Sequence, residues 1–135
     1  LELATITLEQ CLDIRHAVLW PQREREASRV EGDEQASHYG VIAQQEIVSC
    51  LSVFLRGDRH CQIRKFATLQ HKQQQGFGHF LFQSVLEKLA QEGIASVQLN
   101  ARASAVSFYT RFGFIAESAP FHQHGMAYIR MGRKL

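Results

Sequence analysis

What the sequence lacks removes several classes of protein at once. Its three cysteines, Cys11, Cys50 and Cys61, are odd in number and include no CxxC pair. That argues for reduced thiols in a cytoplasmic protein, against a disulfide framework. Paired, well-spaced Cys and His ligands are missing too, so no metal is expected. No apolar run is long enough to span a membrane. The stretch LELATITLEQCLDIRHAVLW has no signal-peptide architecture. No block of Lys and Arg is long enough for a nucleic-acid-binding arm, and the formal net charge is only +2. Arg130, Arg133 and Lys134 read as solvated charge near a chain end. Repeats, linkers and low-complexity segments are absent. What remains is ordinary: 45% apolar and 21% charged residues. That suits one domain over residues 1–135 with a full-sized core.

Periodicity orders the elements. Glu2 to Leu8 alternates as a strand, and Leu12, Ala17, Val18 and Leu19 suggest a helix stopped near Pro21. PQREREASRVEGDEQAS is polar and poorly periodic, suiting a short second helix and a mobile loop. HYGVIAQ, EIVSCLSVFL and CQIRKFATL read as three strands joined by connections too short for crossovers, hence antiparallel. From Gln75 the spacing turns helical through Leu89, with Gly93 as a C-cap. IASVQLN is then a buried strand and SAVSFYTRF a helix closed by Gly113. FIAESAPF and GMAYIRMGRKL form a last strand pair. The strand–helix–strand unit from Cys61 to Asn100 must be a right-handed parallel crossover. The fold class expected is α/β (α+β): a mixed, mainly antiparallel sheet with helices on both faces.

Gly76 and Gly78 stand where the third antiparallel strand gives way to a helix. A helix N-terminus leaves backbone N–H groups unpaired and stabilises an anion. A lone Gly-x-Gly is more often just a tight turn. No GK[ST] follows it, and Leu81 stands where a dinucleotide fingerprint needs its third glycine.

Another pattern fits better. Gln73-x-x-Gly76-x-Gly78 resembles the pyrophosphate loop of the Gcn5-related N-acetyltransferases. The second signature of that family is matched by Ala105, Val106, Phe108, Tyr109, Gly113 and Phe114, one helix and one strand downstream. The resemblance covers nearly the whole chain. It implies the acyl-CoA N-acyltransferase fold with splayed central strands, and acetyl-CoA as cosubstrate. Gln73, Gln74, Gln75, Gly76, Phe77, Gly78 and His79 would cradle the pyrophosphate. Phe66, Ala67 and Thr68 would pair with the pantetheine as a further strand, and an amide near Phe66 or Ala67 would polarise the thioester. The resemblance also puts Asn100, Phe108 and Tyr109 beside the cofactor, with Tyr109 as general acid.

Further stretches resemble the glyphosate N-acetyltransferase-like and ElaA-like branch: IRHAVLWP, IRKFATL, NARASA and FHQHGMAYIRM. Arg64 and Arg102 match two arginines that bind an acidic acceptor there, a chemistry that guanidinium suits. Under plain alternation Arg64 shares a face with Phe66 and Thr68. Two positions depart from the branch. Trp20 stands where a third substrate arginine is found, and Tyr128 replaces a terminal histidine proposed as the base. His124 and His122 titrate in the right range to substitute, His38 and His60 are weaker candidates, and the amine could also lose its proton through water. The function expected is direct acetyl transfer to the amine of a small, anionic molecule, by a monomer or homodimer. The rivals are a non-enzymatic acyl-CoA-binding module and a protein or peptide N-acetyltransferase.

Overall fold

The computed structural model describes residues 1–135. Thr7 sets the end of the first strand. Its hydroxyl accepts from the Gln10 amide while the Gln10 side chain accepts from the Thr7 amide, a reciprocal cap that starts a helix. Strand β1 therefore covers Glu2–Thr5 and helix α1 covers Leu8–Val18. The strand is shorter than its alternation suggests.

The polar stretch after α1 holds no α-helix. A single 3-10 turn forms at Arg25–Ser28, and charge ties the segment down. Arg25 reaches Glu9 and Asp13, while Arg29 reaches Glu9 and Glu26. Below them lies a buried ion pair. Arg15 donates to both Asp33 carboxylate oxygens at 2.9 Å, to Ser28 O at 3.0 Å and to Ser52 Oγ at 2.9 Å. An anchored turn thus stands where a helix and a mobile loop were expected.

Strands β2 (Ser37–Ala43), β3 (Glu46–Leu55) and β4 (His60–Thr68) follow as an antiparallel run. Gln44 and Gln45 turn the first hairpin with φ of 51° and 67°, the primed geometry that matches strand twist. Helix α2 spans Phe77–Gln91, and Gly93 at φ +87° follows its end. Strand β5 (Ser96–Arg102) leads through a 3-10 turn at Ala103–Ala105 into α3, Val106–Arg111. The last strand pair is broken in three: β6 (Ile115–Ala116) and β7 (Phe121–Gln123) both pair with β8 (Met126–Lys134). Between them the Ser118 hydroxyl accepts the Arg130 amide, so the interrupted ladder still satisfies its donors.

One eight-stranded sheet results, in the order β1-β2-β3-β4-β5-β8-β6 with β7 also on β8. Its only parallel pair is β4–β5. The larger core joins one face to α2, where Leu81, Phe82, Val85, Leu86 and Leu89 are buried. The smaller core, with Ile6, Cys11, Ile14, Cys50 and Ala67, lies under α1 on the other. All three thiols are free and buried.

Two irregularities in β4 shape everything that follows. The strand pairs with β5 only at His60–Ser96, Cys61–Val97 and Gln62–Gln98. From Ile63 onward it has no partner on that side, and the sheet forks. On its other edge Ser52 faces Arg64 and Cys50 faces Ala67, so Leu51 alone opposes both Lys65 and Phe66. This is a β-bulge, with Lys65 at φ +58°. It inverts the alternation. Cys61, Ile63 and Phe66 belong to the α2 face and Ala67 to the α1 face. Arg64 stands on the α1 side, its guanidinium 5.7 Å from the Phe54 ring centroid. The expected common face for Arg64, Phe66 and Thr68 is therefore corrected.

Candidate active site

The glycine loop lies beyond the free end of β4. A 3-10 turn at Gln70–Lys72 precedes it, and the Gln73 side chain donates to Thr68 O at 3.0 Å. The Gln75 side chain likewise donates to His71 O at 3.2 Å. These two side chains hold the loop, and its backbone is left over. Every amide from Gln74 to His79 is without a protein acceptor; the next one, Phe80 N–H, donates to Gly76 O. Such a run of outward amides at a helix N-terminus is an anion cradle.

The two glycines do different work. Gly76 caps α2 at φ +88°, a conformation costly for any residue with a Cβ, and a Cβ there would meet only open space. Gly78 has ordinary φ, but a Cβ on it would lie 3.3 Å from Phe66 Cζ and from Thr68 Oγ1. One glycine turns the chain in front of the cradle, and the other lets α2 press against β4. The loop thus leaves its amides and an open, Cβ-free approach available to an anionic group.

The fork opens into a cavity of about 360 Å³. It gathers residues from widely separated segments. Trp20 follows α1, Arg64 and Phe66 come from β4, and Asn100 and Arg102 from β5. Tyr109 enters from α3, while His124 and Tyr128 come from the β7–β8 hairpin. The edge of His124 meets the Trp20 ring at 5.5 Å between centroids, so the hairpin tip touches the chain after α1. Arg23 stacks on that indole at 4.6 Å. Tyr128 stacks on Phe121 at 6.0 Å. No Asp or Glu lines the cavity.

Other expected residues lie outside it. Ala67 is buried under α1, and Phe108 packs among Phe66, Phe82 and Phe112. His79 leans on Phe112 at 4.9 Å. His122 is exposed on β7, and His38 is buried with its ring nitrogens on Ser52 Oγ and Asp33 O. Lys65 and Gln123 line the cavity and were not singled out from the sequence. A bulge has no sequence signature of its own, and strict alternation hid Lys65.

Electrostatics follow from burial. The Tyr109 hydroxyl, desolvated among Phe82, Phe108 and Phe114, is pushed up to about 12, against a small pull from Arg102. It therefore keeps its proton through the neutral range. Arg64 and Lys65 are both pushed down, first by burial and then by neighbouring cations: Arg56 and Arg15 for Arg64, Arg64, Arg15 and Arg102 for Lys65.

Comparison with known proteins supplies the family. Residues 2–135 match the acetyltransferase (GNAT) domain. The uncharacterized N-acetyltransferase YitI of Bacillus subtilis (strain 168) is 29% identical over 134 residues, covering 93% of this chain and 90% of that one. Escherichia coli ElaA superposes with a TM-score of 0.82 at 22% identity, over 98% of both chains. A GNAT family acetyltransferase from Elizabethkingia anophelis, solved with acetyl-CoA bound, gives 0.79 at 16% identity, over 99% of this chain and 97% of that one. These two structures speak for the fold and not for a branch. With the domain match spanning almost the entire chain, this protein belongs to the GNAT family and is an acetyl-CoA-dependent N-acetyltransferase.

Proposed function

We propose that the acceptor is a small anionic amine, acetylated by direct transfer. The observation that carries this reading is the cavity beside the fork, which holds Arg64 and Arg102 and no acidic side chain. An acceptor with a carboxylate or phosphonate would supply the missing counter-charge, and guanidinium binds such groups through paired hydrogen bonds. A lysine side chain would bring a cation among cations, which disfavours a basic protein tail. The placement we favour within the family is the glyphosate N-acetyltransferase-like and ElaA-like branch, on the strength of the NAR and IRKFATL stretches.

Acetyl-CoA supplies the activated acyl group, and the chain's residues do the rest. The amides of Gln74 to His79 hold the pyrophosphate. The unpaired edge of β4 from Phe66 to Thr68 aligns the pantetheine by strand addition, and an amide near Phe66 or Ala67 donates to the thioester oxygen. Arg64 and Arg102 fix the anionic end of the acceptor, turning its amine toward the carbonyl. The amine nitrogen bonds to that carbon, the carbon–sulfur bond breaks, and the thiolate leaves toward Tyr109. At about 12, Tyr109 is a weaker acid than a thiol of ordinary pKa, roughly 8.5. Its first service is thus a hydrogen bond to the developing thiolate, with the proton released by the amine completing the exchange. His124, whose imidazole lines the cavity, takes up that proton from the amine and passes it to the thiolate, with Tyr128 positioning the amine or a water.

Thiol release from acetyl-CoA over a panel of amino acids, aminophosphonates, polyamines and peptides tests the reading. Turnover should concentrate on acceptors bearing an acid group. Equal or better turnover with polyamines would overturn the anionic-acceptor assignment.

A further inference from the structure

One cation of the cavity has no role in the scheme above. Lys65 occupies the extra position of the β4 bulge, at φ +58°, and lines the cavity beside Arg64 and Arg102. A residue with a Cβ is strained there by about 1–2 kcal/mol, so the bulge holds Lys65 against its own preference. None of the three cations takes part in an ion pair; every such pair lies elsewhere. Asp33, the carboxylate that counters the downward push on Lys65, is itself taken up bidentately by Arg15. The depressed pKa of Lys65, caused by burial and by Arg64, is what a cation without a counter-ion shows. These charges are not placed for the cofactor's pyrophosphate, since no residue of the glycine loop lines this cavity.

We infer that Lys65 is a third anion-binding group of the acceptor cavity, and that the acceptor carries two separate anionic groups. Arg64, Lys65 and Arg102 divide those two groups among them, with Lys65 next to both guanidinium groups in the field they share. This deepens the acceptor reading given above and rests on it. Guanidinium favours a planar carboxylate or a phosphonate, whereas an ammonium is a compact point charge that accepts either. An acceptor with one acid group would leave a half-buried cation uncompensated, which is unfavourable. An amino dicarboxylate, or an amine with one carboxylate and one phosphate or phosphonate, satisfies all three.

Calorimetric titration of the CoA-loaded protein with succinate, and with its single-charge counterpart butyrate, tests this without turnover. Succinate should bind about tenfold tighter or more, the scale of one charged hydrogen bond. Lys65→Met should remove most of that difference while leaving butyrate binding unchanged, which also shows that the variant folds. Lys65→Gly, which removes the charge and relaxes the positive φ, should behave as Lys65→Met does, and Lys65→Arg should keep the preference. Equal binding of the two anions by the wild type, or an undiminished preference in Lys65→Met, overturns the inference. The two readings fail separately. Thiol release with singly charged acceptors but no preference for succinate sinks the Lys65 assignment alone. A succinate preference that depends on Lys65, with no thiol release from any amine, sinks the acceptor reading and leaves the anion site standing.

Discussion

Two sets of cations occupy the same region of the molecule and live under opposite rules. Arg15 is fully buried, and both its terminal nitrogens are spent on Asp33, Ser28 and Ser52. Arg64 stands directly opposite Ser52 in the β3–β4 ladder, and with Lys65 and Arg102 it has no acidic partner. The first set closes the polar segment after α1 onto β3. The second closes nothing: beyond the contact of Arg64 with the Phe54 ring, its members form no ion pair, and uncompensated cations in a half-buried cavity repel one another. Charge that is satisfied internally is structural, and charge left unsatisfied at this depth is what the proposed acceptor would meet.

The sharpest way to break this contrast is to remove Asp33. Asp33→Ala leaves Arg15 buried and unpaired, and urea unfolding should show a loss of about 3–5 kcal/mol. Arg64→Met should change stability by no more than about 0.5 kcal/mol. Comparable losses in the two variants would erase the distinction.

The ion pair also has a pH signature. Burial raises the Asp33 carboxyl, but the Arg15 hydrogen bonds, the Val30 amide and the nearby charges outweigh it, so its pKa lies below the usual range. A depressed folded pKa contributes stability above the unfolded value, about 3.9, and that contribution disappears as pH falls through the folded one. Asp33→Asn should flatten that part of the acid-unfolding curve.

Next in size is Tyr109→Phe, expected to lower kcat about 100-fold with little change in KM for acetyl-CoA. Because the hydroxyl titrates near 12, the wild-type rate should show no falling limb from Tyr109 up to about pH 10. Unchanged turnover in Tyr109→Phe at every pH would remove its catalytic role.

Arg102→Gln should raise KM for an acidic acceptor about tenfold while KM for acetyl-CoA stays put. Gly76→Ala gives the smallest effect: roughly 1 kcal/mol of backbone strain, read as a modest rise in KM for acetyl-CoA and none for the acceptor.

The elements with strong periodicity were legible. β3 and α2 stand almost where alternation and helical spacing put them, and the first glycine-bearing motif does fall on the turn that starts α2. Segments whose shape is set by tertiary partners were not. Nothing in PQREREASRVEGDEQAS announces that Asp33 will meet Arg15 across 18 residues, so an anchored turn read as a mobile loop. Likewise nothing local in IRKFATL says that a register shift will rotate Arg64 away from Phe66 and place Lys65 in the cavity. The candidate residues Trp20, Arg64, Arg102, Tyr109, His124 and Tyr128 do converge, although they come from five separate parts of the chain. Motif matching brought them together on paper, and the fork in the sheet explains why they can meet.

That fork has a consequence for the protein at rest. Beyond Gln62 and Gln98 two strands in the middle of the sheet face each other without a ladder. The amides of these strands that are directed into the gap should exchange hydrogen with solvent far faster than those of β3, although they lie no nearer the sheet's rim. A pantetheine arm seated in the gap would restore the pairing as a guest strand, and binding would add stability by mass action. The heat resistance of this protein should then rise with the concentration of CoA and of acetyl-CoA alike, since both carry that arm.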